Sequence, residues 1–458
     1  MMWNAIRRAV AAVIAAVAMS GAAHAQQEGR SAAAVCLADG EQALDQRLLL
    51  DGIWSNDRMV GAMNQRMARA GIATNSFATL KTGLARYRSP TALLVTFAAD
   101  DGACAWVVSA HGVEAYERST QTKAQARAAV GTLLRALDVR GASLARAPRL
   151  RTSAAAPAQA STADPAAADA ALATVTSLVA PGAIGATLGR FEQVFVAPDE
   201  TFLDFPFAML PVPDGRGGVQ PLVEHAAIQI APSLGQIGIG PGVYGGEATD
   251  LARMTPEARF SALSSALVIG DPAFADREYL ADQLPGAAEE ARQVAAAFGV
   301  TPLSGEEATL AAVSTRLAAR PRYVHIASHG LSDPANIVGN NSFIMLANGD
   351  RLTARGLSWA SGTIIVLSAC QSGLGASRPG GIVSLPRAFQ TGGAQTVVMS
   401  LWDVGDRATQ FMMATFAEEL MRTGRPAQAH ALAVRATRAR YPNPRAWASF
   451  AVFGAGQF

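Results

Sequence analysis

Two short apolar runs each end on a reactive side chain. Arg322-Tyr-Val-His-Ile-Ala-Ser-His-Gly330 ends on His329, and Thr363-Ile-Ile-Val-Leu-Ser-Ala-Cys-Gln-Ser-Gly373 ends on Cys370. A thiol attacks a carbonyl carbon only as thiolate, so a cysteine nucleophile needs a base nearby and donors for the developing oxyanion. Cys370 as nucleophile, His329 as base and later acid, and the backbone N–H groups of Gly330 and Cys370 as an oxyanion hole would supply these parts. Gly330 suits that role because no Cβ keeps a substrate away from its N–H.

Asp403 and Asp406 follow a third apolar run, Gln395–Ser400. A carboxylate there would select a cationic side chain by charge-assisted pairing, Arg best because its fork is planar. Asp406 could instead cap the helix that follows. His325 lies four residues before His329 on the same strand face and reads as a satisfied core histidine; with Cys370 it makes a poor zinc set. Gly373-Leu-Gly375 and Gly380-Gly381 lack the Gly-Lys-Ser/Thr of a phosphate loop, and no Gly-x-Ser-x-Gly elbow occurs.

The elements that must hold these residues follow from the pattern around them. Both runs are β-branched and bounded by Gly and polar residues, as in parallel strands covered on both faces. In open parallel sheets the site lies at the carboxyl ends of the strands, where His329 and Cys370 fall. Helical stretches at Leu284–Gly299, Ala308–Ala319, Asp406–Arg422 and Pro426–Arg440 alternate with strands, so the expectation is an α/β fold with a mostly parallel sheet flanked by helices. Upstream, Ala92–Phe97 and Ala105–Ser109 flank Asp100-Asp101-Gly102, a hairpin signal, and His111-Gly112 reads as a further turn. A helix is expected over Lys123–Leu137, and further strands at Phe191–Ala197, Ala227–Ala231, Ala266–Gly270 and Trp447–Gly454. Ala147–Ala171 is dominated by Ala, Pro, Ser and Thr and reads as an exposed linker open to a cut. Leu374–Gly381 is rich in Gly and is expected to be mobile, with a short helix over Val383–Gln390. Met59, Met63 and Met67 form a helical stripe of packing residues.

With 458 residues, half of them hydrophobic, the chain can bury a large core. The formal charge of +2 comes from Arg7 and Arg8, and no Lys/Arg-rich stripe appears, so nothing points to nucleic acid or anionic lipid as a partner. Arg7 and Arg8 precede the apolar run Ala9–Ala18, and Ala23-His24-Ala25 precedes Gln26, the pattern of a cleaved secretory signal. The run is too short to span a bilayer, so no stable membrane insertion is expected after cleavage, and the product would be periplasmic or extracellular. In that setting Cys36 and Cys104 could pair, leaving Cys370 as the odd thiol. The expected organisation is a signal (1–25), an N-terminal helical segment (26–89), a strand and helix part (90–146), a linker (147–172) and the main α/β core (173–458).

Taken together, Val324-His-Ile-Ala-Ser-His-Gly330, Val366-Leu-Ser-Ala-Cys-Gln-Ser-Gly373, Gly393-Ala-Gln-Thr-Val-Val-Met-Ser-Leu-Trp-Asp-Val404 and Trp447-Ala-Ser-Phe450 resemble, in order and spacing, the CHAT family of caspase-like cysteine peptidases, relatives of separase. The resemblance covers most of residues 90–458. It implies a caspase–haemoglobinase fold with an N-terminal strand-containing subdomain, a His–Cys dyad carried onto His329 and Cys370, and a first substrate pocket, commonly basic-selective, with Asp403 as its floor. Two departures bear on it. Arg378-Pro-Gly-Gly stands where family members often carry an acidic Gly-Glu-Gly, and the tetratricopeptide array often found upstream is not apparent in residues 26–90.

The expected activity is therefore that of an exported cysteine endopeptidase acting on a peptide or protein substrate, with no cofactor and no metal. A caspase-like scaffold without turnover, a zymogen awaiting a trigger, and a hydrolase of non-peptide acyl groups are the alternatives.

Overall fold

A computed structural model of the chain describes residues 77–137, 139, 165–199, 201–231, 251–275, 283–331, 343–353, 362–368, 376–378, 381–383, 389–390, 393–402 and 405–454, with positions 36, 40–42, 44, 47, 234, 237 and 359. The proposed signal, the methionine stripe, Cys370 and Asp403 lie outside the described residues.

Eleven strands form one sheet: β1 (Thr91–Ala99), β2 (Gly102–Ser109), β3 (Gly112–Ser119), β4 (Gln193–Ala197), β5 (Ala227–Ile230), β6 (Leu267–Pro272), β7 (Leu303–Gly305), β8 (Tyr323–Ala327), β9 (Ile364–Leu367), β10 (Thr396–Ser400) and β11 (Phe450–Gly454). Their spatial order is β3-β2-β1-β4-β5-β11-β10-β9-β8-β6-β7. Antiparallel pairing is confined to β3 with β2, β2 with β1, and β10 with β11; the other neighbours run parallel. The helices used below are α1 (Phe77–Leu84), α2 (Lys123–Ala136), α3 (Pro165–Val179), α4 (Pro256–Leu263), α5 (Pro285–Phe298), α6 (Leu310–Ala318), α7 (Asp406–Thr423) and α8 (Pro426–Arg440). Among the described residues no helix is long and apolar enough to cross a membrane.

The apolar runs become strands because both faces of the sheet are covered. Along β1 successive side chains alternate between two cores: Ala92, Leu94 and Ala98 join the larger one, and Leu93, Val95 and Phe97 the smaller. The period of two in a strand produces this split. Helices α5 and α7 stop at Gly299 and Gly424, both left-handed with φ 67°, a conformation that suits a residue without Cβ. The turn at Asp100-Asp101 joins β1 to β2 as expected.

Four expectations need correction. The linker does not extend to residue 172, because α3 begins at Pro165. Its alanines are the strongest helix formers, and Ala168, Ala171, Val175 and Leu178 recur at helical spacing on a buried stripe. The Leu374–Gly381 stretch contains ordered pairing, with Ala376–Arg378 antiparallel to Gly381–Val383, so Val383 closes a strand instead of opening a helix. His111-Gly112 is followed by a full strand, β3, where only a turn was expected. Before β11, Pro444–Trp447 is a helical turn, so the final strand begins at Phe450. Of the strands in residues 91–119, β1 pairs directly with β4, which makes all three part of the same sheet as the α/β core.

Cys36 and Cys104 are joined by a disulfide with Cα atoms 5.7 Å apart. The bond fixes the segment around Gly40 on β2 and β3, where Trp106 Nε1 donates to Gly40 O (2.8 Å) and Tyr116 OH donates to Cys36 O (3.2 Å). Trp106 stacks on Tyr116 beneath it. The crosslink spans 68 residues of sequence, so its reduction is expected to lower the free energy of urea unfolding by about 2–4 kcal/mol. An unchanged unfolding curve in dithiothreitol would refute this.

Burial shifts two groups in opposite senses. Asp199, after β4, accepts from Ala98 N–H (2.7 Å) and Thr201 N–H (3.0 Å). Burial nevertheless outweighs those bonds and the charges of Arg47 and Lys123, and pushes its carboxyl up to about 6. His430 on α8 is pushed down to about 4 by burial, opposed by its bond to the Phe450 backbone. The contribution of Asp199 is fully present below its unfolded value of about 3.9 and is lost as pH rises through about 6. That of His430 is fully present above about 6.5 and is lost as pH falls through about 4. The two slopes oppose each other at about 3 kcal/mol each. Urea unfolding across this window is therefore expected to show stability falling toward acid in Asp199→Asn and toward neutrality in His430→Phe. Identical pH profiles in wild type and both variants would contradict it.

Candidate active site

Three neighbouring parallel strands bring the sequence motifs together. β8, β9 and β10 are in register, with Ile326 beside Leu367 and Leu367 beside Met399, so their carboxyl ends lie side by side. β8 delivers Ser328 and His329, β9 delivers Ser368, and β10 ends on Ser400. The Ser368 N–H donates to Ile326 O (2.9 Å), which continues the pairing past β9 toward position 370.

His329 is 6 % exposed. Its carbonyl accepts from Met345 N–H (2.9 Å), and Gly330 pairs antiparallel with Ile344, so the residues on either side of the ring are anchored to a second small sheet. The ring packs on Phe274 with centroids 4.8 Å apart. Beside it, at the end of β6, Asp271 holds a left-handed φ of 48° and accepts from Leu284 N–H (2.5 Å). Burial pushes the Asp271 carboxyl up, while the Leu284 N–H and the charge of His329 pull it the other way. A non-glycine residue in that backbone region is held by its surroundings, and such residues gather at functional sites. Asp271 was not singled out from the sequence, where Gly-Asp-Pro reads only as a strand end.

Beneath the strand ends lies a cavity of about 60 Å³ whose lining includes Ser328, Ser368, Ser400, Glu290, Trp402 and Asp406. Asp406 is the first residue of α7, whose N-cap is Gly405; the carboxylate therefore sits in the first turn of the helix, facing this cavity. It also approaches the first turn of α5 closely. A Cβ on Gly286 would stand 2.7 Å from the Asp406 carboxyl carbon, so only glycine at 286 leaves that carboxylate its place.

Glu290 reaches the cavity from α5 and is itself buried. His325 Nε2 lies 2.7 Å from Glu290 Oε1, and Tyr323 OH lies 3.3 Å from His325 Nδ1. Burial and the negative charge of Glu290 hold the Tyr323 hydroxyl well above its ordinary range. The Glu290 carboxylate can only accept, so Nε2–H donates to it, and Nδ1 meets the Tyr323 hydroxyl. His325 thus sits in the core with both ring nitrogens engaged. Glu290 escaped the sequence reading because it follows Glu289 in a helix start where acidic residues are ordinary.

A family model described as the CHAT domain matches residues 166–455. Tetratricopeptide repeat protein 28 from Mus musculus is 27% identical over 315 residues, and its Homo sapiens counterpart 25% over 314. Each match takes in 58% of this chain but only 12% of the relative's length. Among solved structures, the Arg specific cysteine proteinase gingipain R is similar at 13% identity and a TM-score of 0.37, over 58% of this chain and 64% of that one. The Saccharomyces cerevisiae separase–securin complex is similar at 8% identity and a TM-score of 0.48, over 91% of this chain and 33% of that one.

Proposed function

Because the chain belongs to the CHAT domain family, we propose that it is a caspase-like cysteine endopeptidase, exported through residues 1–25, that cleaves proteins after a basic residue. The observation that carries this reading is the convergence of the β8, β9 and β10 carboxyl ends, with His329 following one strand and Ser368, two residues before Cys370 in sequence, following the next. The Cys36–Cys104 disulfide favours an oxidising compartment and so supports export.

In this reading His329 takes the proton from the Cys370 thiol, and the thiolate attacks the scissile carbonyl carbon. The Gly330 and Cys370 N–H groups hold the oxyanion. On collapse the C–N bond breaks, His329 returns the proton to the leaving amine, and a thioester remains on Cys370. Water then attacks that thioester, giving up a proton to His329, and the thiol is released. Asp406 at the cavity, with Asp403 next to its strand end in sequence, would receive the cationic side chain of the substrate.

The test is turnover of fluorogenic peptides ending in Arg, Lys, Asp or Leu by purified residues 26–458, beside Cys370→Ala and Asp406→Asn. Cleavage after Arg or Lys that vanishes in Cys370→Ala, and weakens mainly for basic peptides in Asp406→Asn, is the expected result. Silence on all four, with Cys370 left unlabelled by a peptidyl chloromethyl ketone, would favour a scaffold that keeps the fold without turnover.

A further inference from the structure

A second concavity, of about 510 Å³, shares no lining residue with the cavity at Ser328 and Asp406. It lies between the first turn of α8, the Tyr87–Ser89 segment that leads into β1, and the first residues of β4 and β5. Among the described residues Arg88, Arg253, Arg425 and Arg435 line it, against a single carboxylate, Glu192. These arginines come from three separate stretches of sequence, two of them from α8 and its N-cap, so no local run of positive charge announced them.

The charge is not spread over a flat surface. Arg435 is half-buried and fixed, its Nε donating to Val223 O (2.6 Å), and burial works against its charge. Arg425 is the N-cap of α8 and its side chain makes no cap bond; Ala427 and Gln428 of that first turn line the cleft, so the positive end of the helix lies at it. Among the described residues, the cleft-lining Thr396, 0 % exposed, has no hydrogen-bond partner for its Oγ1, nor has His225 for its Nε2. Buried polar atoms in folded proteins are paired in the great majority of cases. Two orphaned atoms at the base of a cationic cleft therefore mark where ligand oxygens would sit.

We propose that this cleft binds an organic phosphate carrying two or more negative charges. The arginines and the α8 N-terminus supply charge and N–H donors to the phosphate oxygens, while Thr396 and His225 supply the short polar contacts at the base. The volume falls within the range of small-molecule sites and exceeds what a lone inorganic anion fills. Glu192 on the rim opposes the anion and sets a limit on how far its charge extends.

The experiment is isothermal titration of the full exported chain with ATP, with inorganic pyrophosphate and with adenosine, all at one ionic strength. Saturable binding of ATP and pyrophosphate, with adenosine much weaker, is expected. Arg88 and Arg425 are exposed, so their joint replacement by alanine should leave the fold intact and weaken ATP binding about tenfold or more. Thr396→Val, which keeps the shape and removes the orphaned hydroxyl, should weaken binding while leaving the melting temperature equal or higher. The proposal is overturned by any of three results: no saturable heat with ATP or pyrophosphate, adenosine binding as tightly as ATP, or unchanged ATP affinity in the double arginine variant.

Discussion

With His329 replaced by alanine, kcat/KM for peptide cleavage is expected to fall by about a thousandfold or more. Among the described residues, the ring is the one titratable group that β8 places at its carboxyl end, and the backbone beneath it is anchored to Met345. A base and its nucleophile act as a unit, so His329→Ala combined with Cys370→Ala should be no slower than either alone. The loss should have a distinct chemical signature. Without its base, alkylation of Cys370 by a peptidyl chloromethyl ketone should be slow near neutral pH and recover above about pH 8.5, where a free thiol ionises unaided. Folding is monitored separately, because the same variant loses the ring contact with Phe274. Full turnover in His329→Ala would remove the residue from the mechanism.

Glu290→Ala is expected to destabilise the fold by about 1–3 kcal/mol, because it strands the buried Nε2–H of His325 without an acceptor. Glu290→Gln keeps an acceptor for that N–H and should lose much less. Tyr323→Phe removes the longer bond to Nδ1 and should lose about 1 kcal/mol. Urea unfolding of the three variants checks the order, and equal losses for alanine and glutamine at 290 would show that the hydrogen bond to His325 is not what holds the chain together there.

The strand pair that carries the motifs was readable because its runs are apolar, β-branched and sharply bounded, and the hairpin because Asp-Asp-Gly separates two such runs. β3 was missed since Gly-Val-Glu-Ala-Tyr-Glu-Arg-Ser carries charges along a strand at the sheet edge, where solvent tolerates them and discourages further pairing. α3 was missed because alanine serves both in linkers and in helices, and only the stripe packed against α2 decides between them. Glu289 and Glu290 look alike in sequence. In the fold the first pairs with Arg292 in solvent and the second is buried against His325. The arginine cleft was invisible for a related reason, since its members meet only once the sheet and α8 are assembled.

β11, the strand latest in sequence, lies sixth in the order of eleven and is the element through which the β1–β5 side of the sheet meets the β6–β10 side. Until it inserts, β5 and β10 each present an unpaired edge, and the two halves have no ladder between them. Such late, sequence-distant closure makes for slow assembly with sticky intermediates. A ribosome-bound chain could build both halves and still lack the seam that joins them. Release of the whole chain at once, as after passage through a secretion channel, would let β11 compete for those edges before another molecule does.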